Sequence, residues 1–333
     1  MNRIDSITFD IHREQINFNF LKFIERNELD QETGETKTWY VLNTKYKKIG
    51  LNQIVINDRN CSIQMSSKFI PELYYEMINI NTVLRYMNEL LSLNIIQFDI
   101  NSVIENSIVR TVDITNNLVV ENVEEYITDL SIFRINDKFK FENVKNQTLI
   151  YKTSKSRNNE RIVLYNKYPE LRKKDNEEFR KLIDIKPFKN ILRIETRLVN
   201  FKPIREYLNI PENKLIHILN STANVNYNSF SKITNINNID IEILNNLKQL
   251  INMRDSKQRS AIEKRAGQLT IIKMLNSDIG LINLFIDRNC SKKSNNSAIK
   301  REYKQLIKSL NDQSLNDSID KKVNQIKEML LVA

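Results

Sequence analysis

The sequence predicts an α+β fold in which an antiparallel sheet with helices on one face is followed by an all-helical C-terminal region. Up to about residue 200, runs of alternating apolar and polar residues are interspersed with segments of helical period. From residue 81 their order is helix, two strands, helix, two strands, helix and strand, close to a split βαβ arrangement. Beyond Pro203 the pattern is almost wholly helical. We therefore expect an α+β domain over residues 1–205 and a helical domain over residues 206–333.

The first 70 residues are predicted to form strands. In the segment 4–11, the apolar residues Ile7 and Phe9 alternate with the polar residues Ser6 and Thr8, as the two faces of a half-buried strand require. After a turn around Gly34, three shorter runs show strand-like composition; they cover residues 39–42, 51–56 and 62–66.

Helices and strands are then predicted to alternate up to residue 199. The first helix begins after Asn81 or Thr82, either of which can cap it, and ends near Asn94. A second helix covers about 123–130, and a short charged helix covers 174–183. The strands of this part are predicted at 95–100, 108–115, 148–153, 161–167 and 191–199.

The C-terminal part is predicted to be helical because its apolar residues recur at helical spacing. Pro203 and Pro211 mark the change from the mixed pattern to the helical one. The expected helices cover about 203–220, 238–252, 257–276, 279–288, 295–310 and 317–331.

The charge balance favours a polyanionic partner. The chain has 51 Lys plus Arg against 41 Asp plus Glu, a net charge of +10, and such an excess suits nucleic acid. No stretch of 18 apolar residues exists, and charges interrupt the apolar positions of the N-terminus. We therefore expect a cytoplasmic protein that does not contact a membrane.

Histidine and cysteine are too scarce for several kinds of site. The two cysteines, Cys61 and Cys290, lie far apart and fit neither a disulfide framework nor a zinc site. His12 and His217 are the only histidines. This scarcity disfavours a metal site built from several histidines and a Ser-His-Asp catalytic triad.

Strand parity predicts a charged sheet face. Residues two apart in a strand share a face, so Arg193, Glu195 and Arg197 lie opposite the apolar residues of segment 191–199. By the same rule Tyr165 and Lys167 are neighbours.

A third strand adds an acidic residue to this face. In the segment 108–115, Asp113 shares its face with Val109, Thr111 and Thr115. If the three strands belong to one sheet, its open face gathers Asp113, Tyr165, Lys167, Arg193, Glu195 and Arg197.

This set of residues suits transesterification of a phosphodiester. A tyrosine hydroxyl can attack phosphorus and keep the DNA end as a phosphotyrosine, provided that positive charge such as Lys167 assists it. A divalent ion held by Asp113 and Glu195 could neutralise the phosphate oxygens while arginines clamp them. The alternative is a set of surface ion pairs, each contributing about 0–1 kcal/mol.

Several motifs occur in an order that resembles a known family. VRTVDIT at 109–115, LIYKTSKSRNNERIVLYNKYPEL at 149–171 and NILRIETRL at 190–198 resemble the rolling-circle replication initiators of filamentous phages and related plasmids. The N-terminal MNRIDSITFDI and SSKF at 66–69 are also similar, so the resemblance spans roughly residues 1–210.

The resemblance implies a metal-dependent, origin-specific nicking endonuclease that leaves a 5′-phosphotyrosine and a free 3′-hydroxyl. In the similar LYNK segments of plasmid initiators the tyrosine is the nucleophile, which implies Tyr165, with Lys167 beside it. The resemblance implies Mg²⁺ or Mn²⁺ on Asp113 and Glu195, and Glu170 as a further ligand or base. The His-hydrophobic-His strand of many such nucleases is absent from the sequence.

Two alternatives stay open for the nucleophile. Tyr168 lies three residues from Tyr165 in the same run, and Tyr207 is a remoter candidate. A non-catalytic protein that only binds an origin, or a regulator whose sheet holds a dimer, is the alternative to an enzyme.

The C-terminal helices carry a basic stripe. Lys300, Lys304 and Lys308 fall on one side of a predicted helix that also contains Arg301. This stripe suits contact with DNA phosphates, and about six such contacts would cost roughly a thousandfold in affinity between 50 and 200 mM salt. A solvated face of a helical bundle is the alternative. The expected partners are single-stranded or supercoiled origin DNA, host helicase and polymerase, and a second copy of the chain.

Overall fold

The computed structural model is α+β, with a ten-stranded antiparallel sheet in the N-terminal part and helices towards the C-terminus. It describes residues 2–29, 31, 34–132, 139–145, 147–153, 160–234, 264, 267–268, 271, 275, 279–289, 296–311 and 313–332, without the side chains of 132, 289 and 306–319. Two compact units are present: residues 1–234 with 323–333, and residues 235–322.

The strands follow the predicted order with additions. The large sheet has the order β3-β4-β5-β6-β1-β8-β12-β11-β10-β9, and β2 pairs with β7 in a small separate sheet. The strands are β1 Arg3–His12, β2 Ile16–Phe18, β3 Phe23–Leu29, β4 Thr36–Leu42, β5 Leu51–Ile56, β6 Asn60–Ser66, β7 Ile96–Phe98, β8 Ile108–Val119, β9 Phe139–Val144, β10 Thr148–Thr153, β11 Arg161–Asn166 and β12 Ile191–Val199.

Eight helices are described before residue 235, and three more are described towards the C-terminus. The first eight are α1 Val83–Ser92, α2 Ile100–Asn106, α3 Val123–Ile132, α4 Lys167–Leu171, α5 Glu177–Arg180, α6 Phe201–Leu208, α7 Leu215–Asn220 and α8 Val225–Thr234. The others are α9 Ile279–Asn289, α10 Asn296–Asn311 and α11 Gln313–Val332.

Parity correctly predicted the core side of the sheet. Leu192, Ile194, Thr196 and Leu198 of β12 are fully buried. Helices α1, α2, α6 and α7 supply apolar side chains to the main core, and Asn226 of α8 donates to Ile194 O at 3.3 Å and accepts from Thr196 Oγ1 at 2.6 Å. Helices α6, α7 and α8 therefore pack on the sheet.

Three predicted elements differ in length. The strand 95–100 is shorter because the Asp99 side chain accepts a hydrogen bond from Ser102 N at 2.7 Å, which caps α2. The helix 203–220 breaks at Asn209, where a left-handed φ of 52° ends α6. The short charged helix 174–183 is reduced to a 3₁₀ turn followed by α5. The predicted helices 238–252 and 257–276 lie outside the described residues, apart from a few positions of the second.

Two β-bulges interrupt the pairing of β1 with β8. The first lies between Ile4 and Ser6 and makes Asp5 the extra residue of β1. The second makes Arg110 the extra residue of β8, so that Val109 pairs with Phe9 and is buried in the core. The prediction that Val109 shares a face with Asp113 is therefore wrong.

Candidate active site

The register of three neighbouring strands brings the predicted residues onto one face. Strand β12 lies between β8 and β11. Its Arg193 is opposite Tyr165 of β11, and its Arg197 is opposite Asp113 of β8. Glu195 lies between the two arginines on the same face. The sheet thus assembles the charged face that parity predicted.

The segment after β11 returns Lys167 to Tyr165. The strand ends at Asn166, whose side-chain oxygen accepts a hydrogen bond from Tyr168 N at 3.2 Å and so caps α4. Lys167 is the first residue of α4, where the sequence predicts the last residue of a strand. Its Nζ donates to Tyr165 Oη at 3.3 Å and to Glu170 Oε2 at 2.7 Å.

Tyr165 is the centre of a buried polar cluster. Its hydroxyl donates to Glu195 Oε1 at 2.5 Å, and it accepts from Lys167. The exposed fraction is 7% for Tyr165 and 2% for Lys167. A phenol held between a carboxylate and an ammonium has both a proton acceptor and a cation that stabilises the phenolate.

Arg193 is the fully buried cation of this cluster. Its Nη1 lies 3.2 Å from Asp5 Oδ1 and 3.6 Å from Glu195 Oε1, and its Nε donates to Asn117 Oδ1 at 2.8 Å. Asp5 Oδ1 also accepts from Ser67 Oγ at 2.5 Å. The predicted phosphate ligand Arg193 is thus paired with carboxylates inside the fold.

A second, smaller apolar cluster covers this part of the face. The Tyr74 ring lies 5.4 Å from Lys167 Nζ and 5.5 Å from the Arg193 guanidinium carbon, within cation–π range. Around it pack four further buried side chains, Leu171, Phe179, Phe188 and Ile191. The charged face is therefore closed over Arg193, where the sequence predicts an open one.

Burial and charge set the protonation states in the cluster. Burial, and then the Glu195 carboxylate, raise the pKa of Tyr165 well above its usual range. Burial, and then Asp5, raise the pKa of Glu195, whereas burial and Arg193 lower the pKa of Lys167. Tyr165 therefore keeps its proton in this state, and Glu195 is a stronger base than an exposed carboxylate.

Asp113 lies beside this cluster with an unsatisfied oxygen. Burial raises the pKa of Asp113 to about 7, with Arg197 acting in the opposite direction. Its Oδ1 is buried and receives no hydrogen bond from the part of the chain that the structure describes, and Arg197 Nε is 3.8 Å away. Glu195 is its diagonal neighbour across β8 and β12. The two carboxylates are therefore close enough to repel each other.

The carboxylates fit a divalent ion that needs few protein ligands. Among the described residues, no group of three His, Cys, Asp or Glu is arranged to hold a metal. Mg²⁺ often uses one or two carboxylates and takes its other ligands from water and substrate phosphates, and Asp113 and Glu195 meet that demand. The Glu170 carboxylate is instead occupied by Lys167 and by Asn176 at 3.1 Å.

The alternative nucleophiles lie in different surroundings. Tyr168 on α4 is partly exposed, with the Arg172 guanidinium 5.7 Å and Lys189 Nζ 6.0 Å from its ring. Tyr207 on α6 has Lys232 Nζ 3.7 Å above its ring. Tyr168 is thus the more accessible of the two tyrosines in the LYNKY run, and Tyr165 is the one with a carboxylate on its hydroxyl.

The predicted basic stripe lies on α10. Lys300 Nζ donates to Asp287 Oδ2 at 2.6 Å, and Arg301 and Lys304 are exposed. The side chain of Lys308 lies outside the described residues. Part of the stripe is therefore compensated by an acidic side chain of α9.

Sequence reasoning missed three residues of the cluster: Asp5, Ser67 and Tyr74. Parity places Asp5 on the core side with Ile7, and only the bulge turns it to the charged face. Their sequence context could have indicated two of them, since Asp5 and Ser67 both lie in segments that resemble the initiator family.

Comparison with known proteins adds no assignment: no protein-family model matches the chain, and no curated protein matches it significantly. In the part of the chain that the structure describes, no helix is long and apolar enough to cross a bilayer.

Proposed function

We propose that this chain is a rolling-circle replication initiator that nicks one DNA strand by tyrosine transesterification. The observation that carries the proposal is the Tyr165 hydroxyl, which donates to Glu195 and accepts from Lys167. A nucleophile needs a base to take its proton and a cation to stabilise its anion, and both contact the same oxygen.

In the proposed reaction, Tyr165 Oη attacks the phosphorus of the scissile phosphodiester. The proton of Tyr165 passes to Glu195, and Lys167 stabilises the phenolate as it forms. The Oη–P bond forms as the bond from phosphorus to the 3′-oxygen breaks. That oxygen takes up a proton from solvent, to which Glu195 in turn releases the proton of Tyr165. The products are a 5′-phosphotyrosine and a free 3′-hydroxyl from which a polymerase can extend.

The proposed cofactor is Mg²⁺ or Mn²⁺ held by Asp113 and Glu195. The unsatisfied Oδ1 of Asp113 and the mutual repulsion of the two carboxylates favour a cation at this position. When bound, the ion would neutralise charge on the phosphate oxygens. Glu170 orients Lys167 in this proposal, since its carboxylate accepts from that ammonium.

The proposed partner is origin DNA, single-stranded or supercoiled. The net charge of +10 supports it, and the basic α10 residues Lys300, Arg301, Lys304 and Lys308 would add phosphate contacts. Host helicase and polymerase would follow at the free 3′-end.

Adduct formation tests the enzymatic proposal. The wild-type chain is incubated with single-stranded oligonucleotides from its own replicon in Mg²⁺ or Mn²⁺, and covalent complexes are separated in denaturing gels. We expect an adduct with wild type and Tyr168→Phe, and none with Tyr165→Phe. An adduct that persists in Tyr165→Phe would contradict the assignment of the nucleophile.

A non-catalytic origin-binding protein is the second candidate. The observation that favours it is that Tyr165 is 7% exposed and that Arg193 is compensated by Asp5 within the fold. This candidate predicts that the wild-type chain binds origin DNA and neither nicks a supercoiled origin plasmid nor forms an adduct with Mg²⁺ or Mn²⁺.

A further inference from the structure

Four basic side chains lie side by side across four strands at one end of the large sheet. Lys140 of β9 is opposite Lys152 of β10, Lys152 is opposite Arg161 of β11, and Arg161 is opposite Arg197 of β12. We call these four residues the cation row. Since strands lie about 4.8 Å apart, the row is about 14 Å long. Directly opposite residues share a face, so it forms a continuous line of positive charge.

Such a row is unfavourable without counter-charges, because like charges directly opposite in a sheet destabilise it. The described carboxylates compensate it weakly. Glu142 accepts from Lys152 at 3.0 Å, but both side chains are about half exposed, and Asp113 is 3.8 Å from Arg197, which is 44% exposed. Exposed pairs of this kind contribute about 0–1 kcal/mol. Among the described residues, the positive charge of the row is therefore only weakly compensated.

The row also borders a cleft. A cleft of about 420 Å³ is lined by Lys152, Arg161 and Arg197, together with Thr153, Glu160 and Val199. Arg161 Nε is buried and has no hydrogen-bond partner among the described residues. The lining carboxylate Glu160 is hydrogen-bonded to Tyr207, and burial raises its pKa. A guanidinium with an unused donor beside a second guanidinium suits an oxyanion such as phosphate.

We propose that the cation row binds the phosphates of a single DNA strand and guides that strand to Tyr165, an inference that rests on the proposed function. Arg161 and Tyr165 lie on the same face of β11, four residues and hence about 13 Å apart. A strand on the row would thus be held a few nucleotides from the nucleophile.

The occupant is assigned as single-stranded DNA because of the row's shape. It is a straight, narrow line on a sheet, whereas duplex DNA is usually read by an element that enters a groove. Backbone tracking by a positively charged groove is the usual mode of single-strand binding. The cation row also ends at Arg197, which lies 3.8 Å from Asp113. The proposed function places Asp113 next to the scissile phosphate.

The test measures binding of a fluorescent single-stranded oligonucleotide to the full-length chain over a range of salt concentrations, without divalent ions. The row variant is Lys152→Gln with Arg161→Gln. The matched control is Lys181→Gln with Lys202→Gln, two exposed lysines of the same unit that also pair with glutamates. A second row variant, Arg161→Lys, keeps the charge.

Losing two phosphate contacts should make the slope of log K against log salt shallower by about 1.4. This change corresponds to an affinity about 25-fold lower at 0.1 M salt. The control double variant and Arg161→Lys should retain the wild-type slope. Circular dichroism melting verifies that each variant is folded. If the row variant is unfolded, it is replaced by Lys140→Gln with Lys152→Gln, because both of these residues are exposed.

Each outcome decides a different point. The proposal that the cation row binds DNA is overturned if the row variant keeps the wild-type salt slope, or if the wild-type chain does not bind single strands. The assignment of single-stranded DNA is overturned if a duplex of the same sequence binds more tightly and the row variant loses affinity for it to the same extent. If the row variant loses affinity while wild type forms no adduct, the row stands as a binding surface and the nicking function fails.

Discussion

Arg193 is predicted to stabilise the fold through its buried ion pairs. The substitution Arg193→Met keeps most of the side-chain volume and removes the guanidinium that Asp5 and Glu195 share. Arg193 is 0% exposed, so its loss leaves two mostly buried carboxylates without their cation. Breaking a buried pair by removing one partner costs about 3–5 kcal/mol. We expect the free energy of unfolding to fall by that amount.

The matched control is Arg197→Met on the same strand. Its guanidinium is 44% exposed and lies 3.8 Å from Asp113, so its removal should cost less than about 1 kcal/mol. A double variant, Asp5→Asn with Arg193→Met, should be less destabilised than the sum of its single variants, with a coupling energy of about 1–3 kcal/mol. The difference arises because the double variant no longer buries the Asp5 charge.

Urea unfolding at pH 7 without divalent ions measures these effects. The chain has one tryptophan, Trp39 on β4, so its fluorescence reports on the unit that contains Arg193. Losses below 1 kcal/mol for both arginine variants would refute the buried role of Arg193. A stable Arg193→Met chain that no longer binds DNA would instead identify Arg193 as a phosphate ligand.

Two further predictions concern the packing around the sheet. Gly50→Ala should lower the free energy of unfolding by about 3 kcal/mol or more, because φ is +81° and the new Cβ would lie 2.2 Å from the backbone N of Phe69. Gly34→Ala should lower it by only about 1–2 kcal/mol, because φ is +72° there but no atom lies within 4 Å of the new Cβ. Equal melting temperatures of the two variants would contradict the clash at Gly50. Burial, and then Asp10, raise the pKa of the Cys61 thiol to about 12, so at pH 8 in a Cys290→Ser chain Ellman's reagent should label it only after denaturation. Rapid labelling of the native Cys290→Ser chain would contradict this burial.

The residues on β11 and β12 could be predicted from sequence because their register has no interruption. Tyr165, Arg193 and Glu195 each keep the face that simple alternation gives them. Asp5 could not be predicted in this way, since the bulge after Ile4 depends on pairing with β8, more than a hundred residues away. Local alternation carries no information about such an extra residue.

The position of Lys167 could have been predicted more closely. Asn166 is a favourable N-cap and Pro169 suits a first helical turn, so the run NKYP contains a helix start. The closure of the charged face could not be predicted, because Tyr74 and Phe179 come from segments far from β12 in sequence. The cation row likewise depends on the register of β9, a strand that the sequence pattern does not reveal.

The most direct test of the account is to map the residue that becomes bonded to DNA. Trypsin should cleave after Lys167 and separate the two candidates, since Tyr165 lies in the peptide 162–167 and Tyr168 in the peptide 168–172. After reaction of the wild-type chain with a single-stranded origin oligonucleotide and nuclease trimming, mass spectrometry should find the nucleotide mass on peptide 162–167. The same mass on peptide 168–172, or on neither peptide while DNA still binds, would contradict the central role of Tyr165.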